Sequence, residues 1–145
     1  MLELDKSHTQ RAAEGATEAE LNRRGISTSR TYGNEPGIDF IAIHSDGRLF
    51  PVEVKGQRQH NDWFVEPLRQ DAIHIFVLVP TNNVDRPGVF RFFVMTSSEV
   101  KEAMEGYLQD RRARGTPDAK WKPAIRWRDT EPHENRWDKL DRPAN

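Results

Sequence analysis

Two acids and a lysine stand within apolar segments that are typical of neighbouring β-strands. Asp39 precedes the apolar pair Phe40-Ile41, and Glu53 and Lys55 alternate with valines in Val52-Glu53-Val54-Lys55-Gly56. Charged side chains on half-buried strands are costly unless they are paired or hold a cation. The pattern therefore indicates a cation site. Its alternative is structural, with Asp39 capping a turn and the other two forming a solvated ion pair.

The loop between the two segments decides whether the acids meet, because side chains alternate along a strand. A two-residue loop would place Asp39 opposite Val54. A three-residue loop, Ser45-Asp46-Gly47, would place Asp39 opposite Glu53, with the glycine in the left-handed position of a bulge. We expect the three-residue loop. Opposed carboxylates about 5 Å apart repel each other unless a divalent cation lies between them, and oxygen ligands suit Mg²⁺ or Mn²⁺.

These residues resemble the signature of the PD-(D/E)XK nucleases, also called the restriction-endonuclease-like superfamily. Asp39 matches the first acid, and Glu53-Val54-Lys55 matches the second acid and the lysine. The proline departs from the pattern, because Ile38 precedes Asp39 and the proline lies at Pro36. Over roughly residues 7 to 80 the chain is most similar to small Holliday-junction-resolvase-like members.

The resemblance extends to the first helix, where archaeal resolvase-like members carry a further glutamate. Four residues here follow that spacing: Glu14, Thr17, Leu21 and Gly25. Glu14 is therefore the candidate acid from the helix, ahead of Glu18 and Glu20. The helix dipole also favours an acid in the first turns of a helix, so a purely structural role for Glu14 stays open.

The resemblance implies hydrolysis of a phosphodiester bond by a water molecule activated at a bound metal. It implies Mg²⁺, with Mn²⁺ as a substitute, and four ligands: Asp39, Glu53, the Val54 carbonyl group and Glu14. Lys55 would orient or deprotonate the attacking water and stabilise the developing anion. Gln57 would orient a phosphate or a water, unless it is only the solvated end of the strand.

The resemblance also implies DNA, ahead of RNA, as the substrate, and a homodimer would let so small a nuclease reach both strands. The runner-up is a noncatalytic module that uses the same fold to bind protein or nucleic acid. The sequence has no glycine-rich phosphate loop, so we expect no nucleotide cofactor. The five histidines form no zinc motif, and His74, inside an apolar run, is expected to be a hydrogen-bonded core residue.

The segment from Arg111 to Arg128 is basic, with Asp118 as its single acid. Trp121 and Trp127 interleave with the cations, which could meet phosphates while the rings stack on unpaired bases. The alternative is that the tryptophans pack a C-terminal element onto the sheet and the arginines coat it. Six residues are candidates for nucleic-acid binding: Arg58, Arg111, Arg112, Lys120, Lys122 and Arg126.

The length of 145 residues predicts a single domain over residues 1–145, which the resemblance implies is nuclease-like. A basic, tryptophan-containing C-terminal extension is expected from about residue 111. The absence of cysteine excludes disulfides, cysteine-zinc sites and thiol catalysis. No apolar run approaches the ~18 residues of a membrane span, and no signal segment follows Met1. We therefore expect a cytoplasmic protein without membrane contact.

Hydrophobic periodicity predicts an α/β fold with a mixed central sheet flanked by helices. A helix is expected from about His8 to Arg24, capped by Ser7 and ended by Gly25. The near-continuous apolar run Ile73–Val79 predicts a central strand covered on both faces. The remaining expected elements are a short strand within 26–32, a loop or short strand within 58–66, a strand over 90–95, a helix from a capping box at 96–99 to about 110, and a short helix near 137–140.

Overall fold

The computed structural model describes residues 5–31, 38–65, 71–81, 85–117 and 122–141. They form an α/β fold in which a five-stranded mixed sheet is flanked by helices. The strands of this sheet are β1 Ser27–Arg30, β2 Phe40–Ile43, β3 Leu49–Gln57, β5 Ile73–Leu78 and β6 Arg91–Thr96. Two short strands, β4 Trp63–Phe64 and β7 Ala124–Ile125, form a second sheet. The helices are α1 Lys6–Arg23, α2 Ser97–Ala113 and α3 Trp127–Thr130, followed by 3₁₀ turns at Glu131–His133 and Trp137–Asp141.

The large sheet has the strand order β1-β2-β3-β5-β6. Neighbouring strands are antiparallel except β3 and β5, which are parallel and pair Glu53 with His74. Strand β5 is buried on both faces, as its apolar run predicts, and His74 is buried within it. The predicted mixed α/β sheet is therefore confirmed.

The first helix begins two residues earlier than expected, so the predicted cap at Ser7 is wrong. Asp5 is the N-cap, because its carboxylate accepts the N–H groups of Ser7 and His8 at 2.9 and 3.1 Å. The His8 ring accepts the Asp5 N–H in return. The helix ends at Arg23, and Gly25 follows in the left-handed conformation with φ +83°.

The β2–β3 hairpin has the predicted three-residue loop. The His44 N–H donates to the Arg48 carbonyl at 2.8 Å, and Gly47 has φ +88° between them. The ladder then runs to Phe40 opposite Val52. Asp39 directly precedes Phe40, so this register places Asp39 opposite Glu53.

The apolar side chains form two clusters, one on each face of the large sheet. On the α1 face, Val52 and Val54 of β3 pack with Ala13 and Leu21 of the helix. On the α2 face, Phe76 and Phe93 pack in a cluster that includes Val100. Helix α2 starts with the predicted capping box between Thr96 and Glu99.

Residues 122–141 fold back onto the rest of the chain. Strand β7 pairs with β4, and Leu140 joins the α1-face cluster. Trp127 lies edge-on to Phe93, with ring centroids 5.1 Å apart, and stacks on Trp63. Trp127 thus packs a C-terminal element onto the sheet, which was the alternative to base stacking. Trp121 lies outside the described residues. None of the helices in the described part of the chain is long and apolar enough to cross a membrane.

Candidate functional site

Asp39 lies directly before β2, at the point where pairing with β3 ends. Its N–H donates to the Val52 carbonyl at 2.8 Å, and its Oδ2 accepts the Val54 N–H at 2.7 Å. The carboxylate thus occupies the place that a further β2 residue would take beside β3. Asp39 is fixed at the edge of the sheet by backbone contacts.

Glu14, on α1, reaches the same edge. Its carboxyl group lies within hydrogen-bonding reach of Asp39, and burial together with the Asp39 charge raises the pKa of Glu14 to about 7. Arg30 and Arg11 act in the opposite direction but do not cancel the rise. Glu14 therefore keeps its proton up to nearly neutral pH beside Asp39, and a cation could take the place of that proton.

Glu53 and Lys55 leave β3 on the other face, because Val52 and Val54 point into the α1-face cluster. The Lys55 Nζ lies 3.6 Å from Glu53 Oε1. Glu53 is buried, with 7% of its surface exposed, whereas Lys55 is half-buried. The predicted second acid and lysine are thus neighbours on one face.

His74 holds Glu53 from the adjacent parallel strand. Its Nδ1 lies 3.4 Å from Glu53 Oε2, and its Nε2 lies 3.2 Å from the Ser97 hydroxyl group. The Ser97 hydroxyl donates to the Ala72 carbonyl at 2.9 Å. His74 is a hydrogen-bonded core histidine, as expected, but its contact with Glu53 depends on a parallel register that the sequence does not reveal.

The charged residues of the proposed site form two pairs, Glu14 with Asp39 and Glu53 with Lys55, and the Val54 peptide lies between them. Among the residues that the structure describes, no three acidic or histidine side chains form one metal-binding group. The Val54 carbonyl, a further proposed ligand, accepts a hydrogen bond from Gln10 Nε2 at 2.8 Å.

Gln10 is a site residue that sequence reasoning missed. Its Oε1 accepts the Gly56 N–H at 3.0 Å while its Nε2 donates to Val54, so its amide group pairs with β3 as a strand would. Gln10 stands one helical turn before Glu14, and residues four apart lie on the same face of a helix. That spacing was the available signal.

A cleft of ≈ 670 Å³ opens at the carboxyl end of β3. Lys55 and Gly56 line it, together with Lys6 from α1 and Arg58 from the loop after β3. Gln57 also lines the cleft, and its Nε2 donates to the Asn61 carbonyl at 2.7 Å. The structure thus brings the predicted residues Lys55, Gln57 and Arg58 to one cavity.

The C-terminal basic candidates that the structure describes are not among the residues that line this cleft. Arg126 pairs with Asp110 of α2, and Arg111 lies over the Tyr107 ring. The other candidates are the exposed Arg112 and Lys122, and Lys120, which lies outside the described residues. Arg126 is therefore engaged in a contact within the protein.

Comparison of the chain with protein-family models, curated proteins and solved structures finds no match.

Proposed function

We propose that the protein is a divalent-metal-dependent endonuclease that hydrolyses phosphodiester bonds in DNA. The observation that supports this most is the contact of the Glu14 and Asp39 carboxyl groups beside the segment Glu53-Val54-Lys55. Two carboxyl groups in contact require a proton or a cation between them. Their oxygen donors suit Mg²⁺, with Mn²⁺ as a substitute.

Asp39 and Glu14 would hold the metal, with the Val54 carbonyl beside them. Glu53, whose side chain leaves β3 on the other face, would join the ligands by turning from His74 toward Asp39. When bound, the metal would neutralise charge on the phosphate and lower the pKa of its water molecule. The Lys55 ammonium would contact the phosphate, help to position the attacking water and stabilise the negative charge that develops. Gln57, on the same strand two residues on, would orient the phosphate from the cleft.

A noncatalytic nucleic-acid-binding module on the same fold is the second candidate. The observation that favours it is the burial of Glu53 against His74 at 3.4 Å, a contact that would also serve a purely structural ion pair. In that case Lys55 and Arg58 would bind phosphate without cleavage.

Nicking of supercoiled plasmid separates the two candidates. We expect nicking in MgCl₂ and in MnCl₂, and none in EDTA. Asp39→Asn and Lys55→Ala should each lower the rate at least about 100-fold. Glu105→Gln and Lys101→Ala make comparable charge changes at exposed positions of α2 and should nick as the wild type does.

The absence of nicking in every divalent metal tested would overturn the proposed nuclease and leave the binding module. Cleavage of a DNA and an RNA oligonucleotide of the same length, in the same buffer, tests the preference for DNA. Equal cleavage of both would contradict that preference and leave the proposed phosphodiester hydrolysis standing.

A further inference from the structure

A second cavity of ≈ 370 Å³ adjoins the cleft at the end of β3, and the two share Arg58 and Thr81 as lining residues. We refer to the two cavities together as the groove, which lies across the carboxyl ends of the parallel strands β3 and β5. It runs from Lys6 at one end to Val89 at the other. In open α/β sheets, ligands bind in crevices outside the carboxyl ends of parallel strands.

The charge of the groove suits a polyanion. Three cations line it, Lys6, Lys55 and Arg58, and among the lining residues that the structure describes Asp62 carries the one carboxylate. The whole chain has a net charge of -1, so this positive surface is local and not a consequence of overall composition. A cluster of cations in a crevice concentrates and orients phosphate groups.

An exposed aromatic ring lies beside these cations. Phe64 lines the groove with 64% of its surface exposed, whereas Trp63, the preceding residue of β4, is buried. Exposed rings next to a basic groove are the feature on which unpaired bases stack. The bases of a continuous duplex are already stacked on each other, so stacking on the Phe64 ring requires a base step to be opened, a cost that an unpaired base does not incur.

The wall of the groove is ordered by contacts within the protein. His60 stacks on Trp127 with ring centroids 4.2 Å apart and an interplanar angle of 6°. The Gln57 side chain fixes the same loop through the Asn61 carbonyl. Little ordering entropy is therefore lost when a ligand binds there.

We propose that this groove binds a single-stranded segment of DNA, with an unpaired base stacked on Phe64 and the backbone phosphates on Lys6 and Arg58. Gln10 lines the groove one helical turn from Glu14, so a strand bound there leads toward the carboxyl pair. Binding of the single strand does not depend on the proposed function, whereas cleavage of that strand does. If the protein is a nuclease, its substrate is DNA with unpaired nucleotides near the bond that is cut.

Fluorescence anisotropy in EDTA tests binding without cleavage. The probes are a labelled oligothymidylate of about twelve nucleotides, an oligouridylate of the same length and a duplex of the same length. We expect the single-stranded DNA to bind more tightly than the duplex. Phe64→Ala should weaken single-strand binding at least about fivefold and leave duplex binding within about twofold.

Leu49→Ala is the matched control, because Leu49 is 65% exposed and lies at the far end of β3. It should change no affinity by more than about twofold. Arg58→Ala should weaken binding and reduce its salt dependence, as loss of a phosphate contact does. A circular dichroism melt of each variant confirms that it is folded.

Two results would overturn the groove proposal. One is an affinity for single-stranded DNA that Phe64→Ala does not change. The other is a loss of affinity in Phe64→Ala that is as large for the duplex as for the single strand. Tighter binding of oligouridylate would replace DNA by RNA as its ligand. Because no cleavage is measured, Phe64-dependent binding by a protein that never nicks plasmid would overturn the nuclease alone. Nicking without Phe64-dependent binding would overturn the groove alone.

Discussion

The carboxyl groups of Glu14 and Asp39 meet at the edge of the sheet, although one comes from a helix and the other from the start of a strand. Backbone contacts to β3 fix Asp39, so the position of α1 sets the distance between the two acids. Gln10 and the close approach of Gly56 to Ala13 fix that position one turn away. Helix docking and the candidate site are therefore coupled.

Glu14→Gln should stabilise the metal-free protein at pH 8 and have little effect at pH 4. The pKa of Glu14 rises from 4.5 to about 7 on folding, so its contribution to stability is fully present below pH 4.5 and lost as pH rises through 7. The glutamine amide of Glu14→Gln does not ionise, so the variant keeps this stability at high pH. Thermal melts in EDTA should show a melting temperature a few degrees above that of the wild type at pH 8 only.

Divalent metal should have the complementary effect, because it binds the folded carboxyl pair and competes with the proton on Glu14. Mn²⁺ should raise the wild-type melting temperature more at pH 8 than at pH 5, and should raise that of Glu14→Gln less. Glu105→Gln, an exposed control on α2, should respond to Mn²⁺ as the wild type does. A metal response of Glu14→Gln equal to the wild-type response would remove Glu14 from the ligand set.

Substitutions at Asp39 and Lys55 should have different effects on metal binding, although both should abolish cleavage. Lys55→Ala should bind Mn²⁺ with wild-type affinity and lose cleavage, because the ammonium contributes no metal ligand. Asp39→Asn should lose both, since its carboxylate is the fixed member of the pair. Calorimetric titration with Mn²⁺ measures the affinity. An Asp39→Asn protein that cleaves at the wild-type rate would show that the metal ligand has been assigned wrongly.

Two glycine-to-alanine substitutions should have opposite effects on stability. A Cβ at Gly56 would lie 2.5 Å from the Ala13 Cβ and 3.1 Å from the Thr9 carbonyl oxygen, so α1 must shift; we expect a loss of about 1–3 kcal/mol. Gly15 lies inside α1 with nothing within 4 Å, so Gly15→Ala should add about 0.5–1 kcal/mol. Urea denaturation measures both. Destabilisation by both substitutions to the same extent would contradict the proposed close contact.

The features that the sequence predicted correctly are local in the chain. The Ser45-Asp46-Gly47 loop needs only its glycine and the apolar pattern on both sides, and the Thr96–Glu99 capping box needs only its spacing. The error at the first helix is also local. Asp5 competes with Ser7 as a cap, and the His8 ring takes the role that a glutamate has in most capping boxes.

The features that could not be predicted depend on contacts distant in sequence. The approach of His74 to Glu53 follows from a parallel register between β3 and β5. The burial of Lys139 is also a distant effect, because nothing in its local sequence marks this lysine as buried. Lys139 is 2% exposed, since residues 137–141 pack against β6.

Lys139→Met should destabilise the protein by about 2–3 kcal/mol. The buried ammonium donates to the Val94 carbonyl at 2.8 Å and contacts Glu99 at 2.9 Å, so its removal leaves both acceptors without that donor. Adding Glu99→Gln to Lys139→Met should cost less than the sum of the single changes, because the unpaired charge is gone. Urea denaturation of the four proteins gives the coupling. Strict additivity would show that Lys139 and Glu99 do not interact energetically.

Protonation of His133 should destabilise the protein as pH falls. Lys139 Nζ donates to the unprotonated Nδ1 of His133 at 2.7 Å. Burial, followed by the Lys139 charge, lowers the pKa of His133 below its ordinary 6.5, whereas Glu99 acts in the opposite direction. Arg136 lowers this pKa and Asp129 raises it.

Because the folded state holds His133 neutral, the unfolded state binds more protons, and this part of the stability is present above pH 6.5 and is lost below it. His133→Gln keeps an acceptor for Lys139 and cannot be protonated. The difference in unfolding free energy between wild type and His133→Gln should therefore change as pH falls from 7.5 to 5, with the wild type losing more. His8→Gln is the control, because a glutamine at this exposed position keeps the acceptor that the His8 ring offers to the Asp5 N–H in the capping box. Parallel pH curves for the wild type and His133→Gln would show that the ring does not titrate between the two states.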